Sequence, residues 1–239
     1  MTRDEARSKI IFALDVDTFN TAKHWVSTLS GHVGMFKVGK QLFTAYGPDI
    51  VRMIENFDAE VFLDLKYHDI PNTVAMASRE AARLKVKLFN LHALGGYEMM
   101  ARTREMMDRE FPGDNRSRVL AVTILTSSTE ETLREVGIEL PVTEMVPRLA
   151  LLAKRAGLDG VVASPQEVAL IREACGNDFL IVTPGVRPSF ASNDDQKRIM
   201  TPAEAVAAGA DYLVIGRPIS AAPDPLQAVE AIVDEMATE

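Results

Sequence analysis

Val61-Phe-Leu-Asp-Leu-Lys-Tyr-His-Asp69 runs on into Ile-Pro-Asn-Thr73. Its first part, Val61–Leu65, has the length of a β-strand, and charge collects where that strand ends. The pattern recurs along the chain in seven further apolar runs: Ile10–Leu14, Met35–Val38, Lys87–Leu91, Val119–Leu125, Gly160–Ala163, Phe179–Val182 and Tyr212–Ile215. Most are continuously apolar rather than alternating, which is what parallel strands covered on both faces require. Between them lie stretches with helical spacing, such as Ala22, Val26 and Leu29, then Val51, Ile54 and Glu55, then Ala77, Ala81 and Leu84. Glycine and proline fall in the connections, at Gly47-Pro48, Gly95-Gly96 and Pro112-Gly113 among others. Strands alternating with helices imply right-handed βαβ units and a parallel sheet. Eight units in 239 residues match a single (β/α)8 TIM barrel, and a doubly wound open sheet is the alternative. No low-complexity linker interrupts the pattern, so one catalytic domain over residues 1–239 is expected.

Composition narrows the function. The 26 Lys+Arg against 34 Asp+Glu leave a formal charge of −8, with no basic tail. That balance argues against a nucleic-acid surface, though a few local cations can still hold a small anionic substrate. A single cysteine, Cys175, excludes a disulfide framework and an all-cysteine metal site, and reads as a small buried hydrophobe. The polar segment from Met1 to Lys9 precedes an apolar run too short for a signal sequence or a membrane span, so a soluble cytoplasmic protein is expected.

In a barrel the C-terminal ends of the strands line the active-site mouth. The polar residues at those ends are Asp15, Lys37, Asp64, Lys66, Asp69, His92, Thr126, Ser127, Arg187 and Arg217. A strand period of two puts Asp64 and Lys66 on one face, pointing together into the mouth. Each favours the charged form of the other, so Lys66 stays protonated and able to donate a proton. Lys37, at the end of the preceding strand, flanks Asp64 from the other side. The plainer reading is a structural ion pair capping the barrel top.

Two late turns, Thr183-Pro-Gly-Val-Arg187-Pro and Ile215-Gly-Arg217-Pro, join glycine to arginine after consecutive strands. Glycine lets backbone amides approach an anion and arginine supplies a planar donor fork, so the pair suits one phosphate. Otherwise they are two exposed arginines in loops. The polar segment Arg187–Thr201 is a candidate lid. His92 reads as a general acid or base, or as a core histidine with its hydrogen bonds satisfied. Thr126-Ser-Ser128 offers hydroxyls to a polar ring or caps a helix. No P-loop, dinucleotide fingerprint or His-Glu-x-x-His occurs, so nothing calls for a nucleoside triphosphate, a dinucleotide or zinc.

These residues resemble those of the orotidine 5′-phosphate decarboxylase family. The resemblance runs from Ala13-Leu-Asp15 and Phe36-Lys37 through Asp64-Leu-Lys66-Tyr-His-Asp69-Ile-Pro-Asn-Thr73 and Leu125-Thr-Ser127 to the two Gly/Arg turns and Asp194-Asp-Gln196. It departs slightly at Val186, where isoleucine is common, and at Ser128, where some bacterial members carry methionine. It implies decarboxylation of orotidine 5′-monophosphate to UMP, with Lys66 protonating C6 and Asp64 and Lys37 completing a charged array. It further implies that Asp15 and Lys37 contact ribose, Thr126 and Ser127 the pyrimidine region, and Arg187, Gln196, Gly216 and Arg217 the phosphate. No metal or cofactor is implied, and Asp69 and Thr73 are expected to reach the neighbouring subunit's site in a homodimer. A magnesium-dependent branch acting on sugar phosphates shares the Asp-x-Lys-x-x-Asp core and is the nearest rival. A catalytically silent phosphate sensor is another, but it has no use for Lys66.

Overall fold

The computed structural model describes residues 1–191 and 200–237. Among them eight parallel strands close into a barrel in chain order: β1 Ile10–Ala13, β2 Met35–Gly39, β3 Glu60–Tyr67, β4 Leu88–His92, β5 Arg118–Val122, β6 Gly160–Val162, β7 Leu180–Pro184 and β8 Tyr212–Ile215. β1 pairs with both β2 and β8, so no strand edge is left open. The architecture is the (β/α)8 barrel, and the open sheet is excluded.

Alternation along each strand divides the core in two. Inward-pointing Ile11, Ala13, Met35, Phe62, Leu88, Leu120, Val122, Val162, Val182 and Val214 fill the barrel. Their neighbours, including Phe12, Phe36, Leu63, Phe89 and Leu91, pack outward against the helices. Both faces are therefore apolar, which is why the strands read as continuous apolar runs. Each fully buried Phe or Leu contributes roughly 1.5–3 kcal/mol.

Two local readings need correction, at β5 and at the stripe Ala77, Ala81 and Leu84, whereas Val51, Ile54 and Glu55 lie in one helix as expected. β5 stops at Val122 rather than Leu125, because its partner β6 has only three residues. The ladder ends on Thr123, whose N–H and hydroxyl both donate to the Val162 carbonyl, at 3.2 and 3.1 Å. In the helix Asp49–Glu55, Ile50, Val51, Met53 and Ile54 are buried whereas Glu55 faces solvent. The helix Pro71–Arg83 starts at its proline and buries Val74, Ala75, Ser78, Ala81 and Ala82. Ala77 is only partly covered there, and Leu84 lies just past the helix end.

Two carboxylates brace the N-terminal ends of the strands. Asp159, just before β6, accepts two bonds from Arg116, at 2.8 and 2.6 Å, and one from the Val119 N–H at 2.7 Å. Asp211, just before β8, accepts from Arg172 at 2.6 Å and from the Ile181 N–H at 2.7 Å. Each thus ties its strand to the preceding one. No helix among the described residues is long and apolar enough to cross a membrane.

Candidate active site

The inward register that fills the barrel with apolar groups turns polar at the top of β1–β4. Two residues beyond Ala13, Met35, Phe62 and Leu88 stand Asp15, Lys37, Asp64 and Asn90. On β5, β7 and β8 the corresponding positions are Ile124, Pro184 and Gly216, and on β6 the uncharged Ser164, so no charge stands there. The mouth therefore has a charged half and an uncharged half.

The charged half is one connected network. Lys66 Nζ donates to Asp64 Oδ1 at 2.6 Å, Lys37 Nζ lies 3.7 Å from Asp64 Oδ2, and Lys37 donates to Asp15 Oδ1 at 2.9 Å. Asn90 Nδ2 donates to Asp64 Oδ1 at 2.7 Å, and Asn90 Oδ1 accepts from the Lys66 backbone N–H at 2.8 Å. Lys66 has φ +53°, a left-handed conformation that a lysine adopts at a cost of about 1–3 kcal/mol. Gly39 leaves space for the network, since a Cβ there would stand 3.2 Å from Lys37 Nζ.

Burial pushes the Asp64 carboxyl up, but the ammonium groups of Lys66 and Lys37 and the bonds from Lys66 and Asn90 outweigh it and hold it below its ordinary value. Asp64 is therefore ionised at neutral pH. His92 moves the other way: burial first, then the nearby His68, Lys40 and Lys66, bring it down to about 4. Its ring lies 5.5 Å from that of His68. His92 is thus neutral at physiological pH and half-buried, neither a proton donor there nor a fully buried core residue.

Two cavities open on Lys37, Asp64 and Lys66. One, about 190 Å³, is lined by Asp15, Lys40 and Gln41 and is polar. The other, about 250 Å³, is walled by Phe62, Val122, Ile124, Val162 and Val214, with Thr126 and Ser127 at its rim. Such a site has room for a flat, weakly polar group beside one rich in hydroxyls, with Lys66 lining both cavities. Among the described residues no three His, Cys, Asp or Glu side chains converge as a metal site.

Asp15, Lys37, Asp64, Lys66, Thr126 and Ser127 therefore meet at one mouth. Capping does not explain Thr126 and Ser127, because the helix Glu130–Glu135 is capped by Thr129, which accepts from the Thr132 N–H. Gly216 ends β8 against β1, where a Cβ would stand 3.2 Å from the Cβ of Ala13. Arg217 follows it, exposed, and Arg187 lies half-buried beyond β7. Among the described residues neither guanidinium is in an ion pair, which leaves both available to an anion. Gln196, with Asp194 and Asp195, lies outside the described residues, as does most of the expected lid.

Asp69 and Thr73 line neither cavity. Both are exposed, and Asp69 Oδ1 accepts from the N–H of its own neighbour Ile70 at 2.6 Å. Asn90 is the residue that sequence reasoning missed. It sits inside the run Lys87–Leu91, where one polar side chain between Phe89 and Leu91 was the available signal. Lys40 and Gln41, at the start of the helix Lys40–Tyr46, gave no signal of their own.

The chain matches the family described as Orotidine 5'-phosphate decarboxylase / HUMPS over residues 8–232. It is 75% identical over 236 residues to the orotidine 5′-phosphate decarboxylase of Geotalea daltonii, covering 99% of each chain. With that of Geobacter sulfurreducens it shares 74% over 236 residues, again 99% of each. Among solved structures, the orotidine 5′-phosphate decarboxylase of Lactobacillus acidophilus superposes with a TM-score of 0.85 at 39% identity, over 96% of this chain and 99% of that one.

Proposed function

The chain belongs to the orotidine 5′-phosphate decarboxylase / HUMPS family, and from that premise we propose that it converts orotidine 5′-monophosphate to UMP in pyrimidine biosynthesis, as a single-domain carboxy-lyase that uses neither metal nor organic cofactor. The observation that carries the reading is the Lys37–Asp64–Lys66 network at the junction of a polar and an apolar cavity.

In this reading the pyrimidine ring lies in the apolar cavity with Thr126 and Ser127 at its polar edge, and the ribose lies by Asp15 and Lys37. The phosphate is held by Gly216, Arg217, Arg187 and Gln196. The bond between C6 and the carboxyl carbon breaks, its electron pair stays on C6, and carbon dioxide leaves. Lys66 gives a proton to C6 and regains one from water. An ammonium already fixed in place lowers the barrier because it meets charge that develops only as the bond breaks. Asp64, ionised beside it, holds the ammonium in position. Phosphate binding remote from C6 can drive closure of the segment after β7.

The protein acts as a cytoplasmic homodimer in which Asp69 and Thr73 of each subunit complete the other's site. Support comes from their absence from the two cavities of their own mouth, and from the exposed apolar Ile70 that lies between them in the chain. The magnesium-dependent sugar-phosphate reading is disfavoured by the apolar cavity, which suits a pyrimidine ring better than a polyol.

The test is direct. Purified protein with excess chelator is added to orotidine 5′-monophosphate, and the orotate absorbance is followed. Its loss, with equimolar UMP and carbon dioxide formed, is the expected result. No loss overturns the reading, and activity abolished by chelator overturns the metal-free part.

A further inference from the structure

The ladder between β3 and β4 is irregular at one place only. Leu63 stands opposite Phe89, and the next aligned pair is Tyr67 with Leu91. β3 therefore runs through three residues, Asp64, Leu65 and Lys66, where β4 has one, Asn90. A bulge of this kind redirects side chains, and here it lets Lys66 turn back toward Asp64 at φ +53°. It also removes the backbone partner that the Lys66 N–H would have found in a regular ladder.

The Asn90 side chain fills that gap. It is fully buried, its Oδ1 takes the Lys66 N–H at 2.8 Å, and its Nδ2 donates to Asp64 Oδ1 at 2.7 Å, the oxygen that also receives Lys66 Nζ. We propose that Asn90 is a positioning residue for the reaction: its carboxamide holds the β3 bulge open and so fixes both the backbone and the counter-ion of Lys66 relative to substrate. The inference rests on the decarboxylase reading for its functional meaning, not for its geometry.

Few side chains meet this demand. The site needs an acceptor for a backbone N–H and a donor to a carboxylate, a short distance apart and on one rigid group. Aspartate offers no donor and would set a second carboxylate against Asp64. Alanine strands the Lys66 N–H and removes one of the bonds to Asp64. With alanine the strained φ at Lys66 loses the contact that offsets it, and with either substitution the ammonium shifts. A displacement of about 1 Å at a reacting group can cost about a hundredfold in rate.

The test compares Asn90→Ala and Asn90→Ser with the parent full-length chain, assayed well below each variant's melting temperature. For Asn90→Ala, kcat is expected to fall about a hundredfold with KM within about threefold. The acid limb of the pH profile should move to higher pH, because Asp64 has lost a donor while Lys37, Lys66, His92 and Lys40 around it are unchanged. Asn90→Ser, which keeps a donor and an acceptor, should recover about tenfold. If kcat per folded molecule stays within threefold, or the loss lies wholly in KM, or the acid limb does not move, Asn90 is merely structural and the proposal is overturned. Should the alanine variant not fold, the serine variant is judged on the kcat loss and the limb shift. If the parent itself is inactive, the decarboxylase reading has failed; 13C NMR titration of the Asp64 carboxyl, unchanged in the variant, would then overturn the Asn90 interaction independently.

Discussion

Lys66 combines three features that single residues seldom share: a left-handed backbone, a carboxylate partner on its own strand and a position at the end of an apolar barrel. In the proposed reaction it is the cation that gives a proton to a substrate carbon, and His92, held neutral, does not compete. Lys66→Ala is expected to lower kcat at least about a thousandfold, equivalent to about 4 kcal/mol, while circular dichroism still reports a folded barrel. A fall of less than tenfold, about 1.4 kcal/mol, would remove the lysine from the chemistry. Glu167 offers a test of pH dependence away from this array. Its Oε2 accepts the Ser164 N–H at 2.9 Å, and burial raises its carboxyl to about 7. The folded chain therefore binds a proton at Glu167 more readily than the unfolded chain does, and the resulting stability is lost as pH rises from about 4.5 to about 7. Glu167→Gln keeps the acceptor and removes the charge. Calorimetry at pH 8 should show a gain of about 1 kcal/mol, or about 2–4 °C, allowing for the water that still reaches the group. The gain should vanish near pH 4.5, and one independent of pH would contradict the assignment.

At the scale of the elements, the two ends of the barrel divide the labour. The C-terminal ends carry groups whose charges oppose and constrain one another, whereas the N-terminal ends carry satisfied ion clusters that hold neighbouring strands in register. Asp159 shows the second kind, receiving Arg116, lying within 3.6 Å of Arg104 and 3.4 Å of Arg118, and capping the Val119 N–H. Asp159→Ala leaves those cations without their common partner and is expected to cost about 3–5 kcal/mol in urea unfolding. At 25 °C, where the variant remains folded, kcat should be unaltered, because the carboxylate lies at the opposite end of the barrel. A matching loss of kcat would show that the two ends are coupled.

At the scale of the whole molecule, the stretch Asp69–Thr73 carries two exposed residues, Asp69 and Thr73, that line neither cavity of their own mouth. If two copies pair about a two-fold axis, each supplies that stretch to the other. Mixing inactive Lys66→Ala with inactive Asp69→Ala chains should therefore restore activity, since about half the pairs formed at random have one intact site. Exchange of subunits without recovery would place Asp69 in its own site or make it a loop anchor. The (β/α)8 barrel was legible without the structure, because parallel strands sandwiched between a filled barrel and a helical layer must be apolar on both faces. The Asp64–Lys66 pairing was legible as well, since residues two apart are close in the chain, but it is the β3 bulge and not a regular strand period that turns Lys66 back toward Asp64. Asn90 was not, because its role depends on what lies opposite it: a register shift between β3 and β4 that no spacing within either strand encodes. The same limit hid the Asp159 cluster, whose partners are at least 40 residues away in the chain, and the neutrality of His92. Periodicity along one strand is set by local backbone geometry, whereas register, burial and electric field are set by neighbours that only the closed barrel brings together.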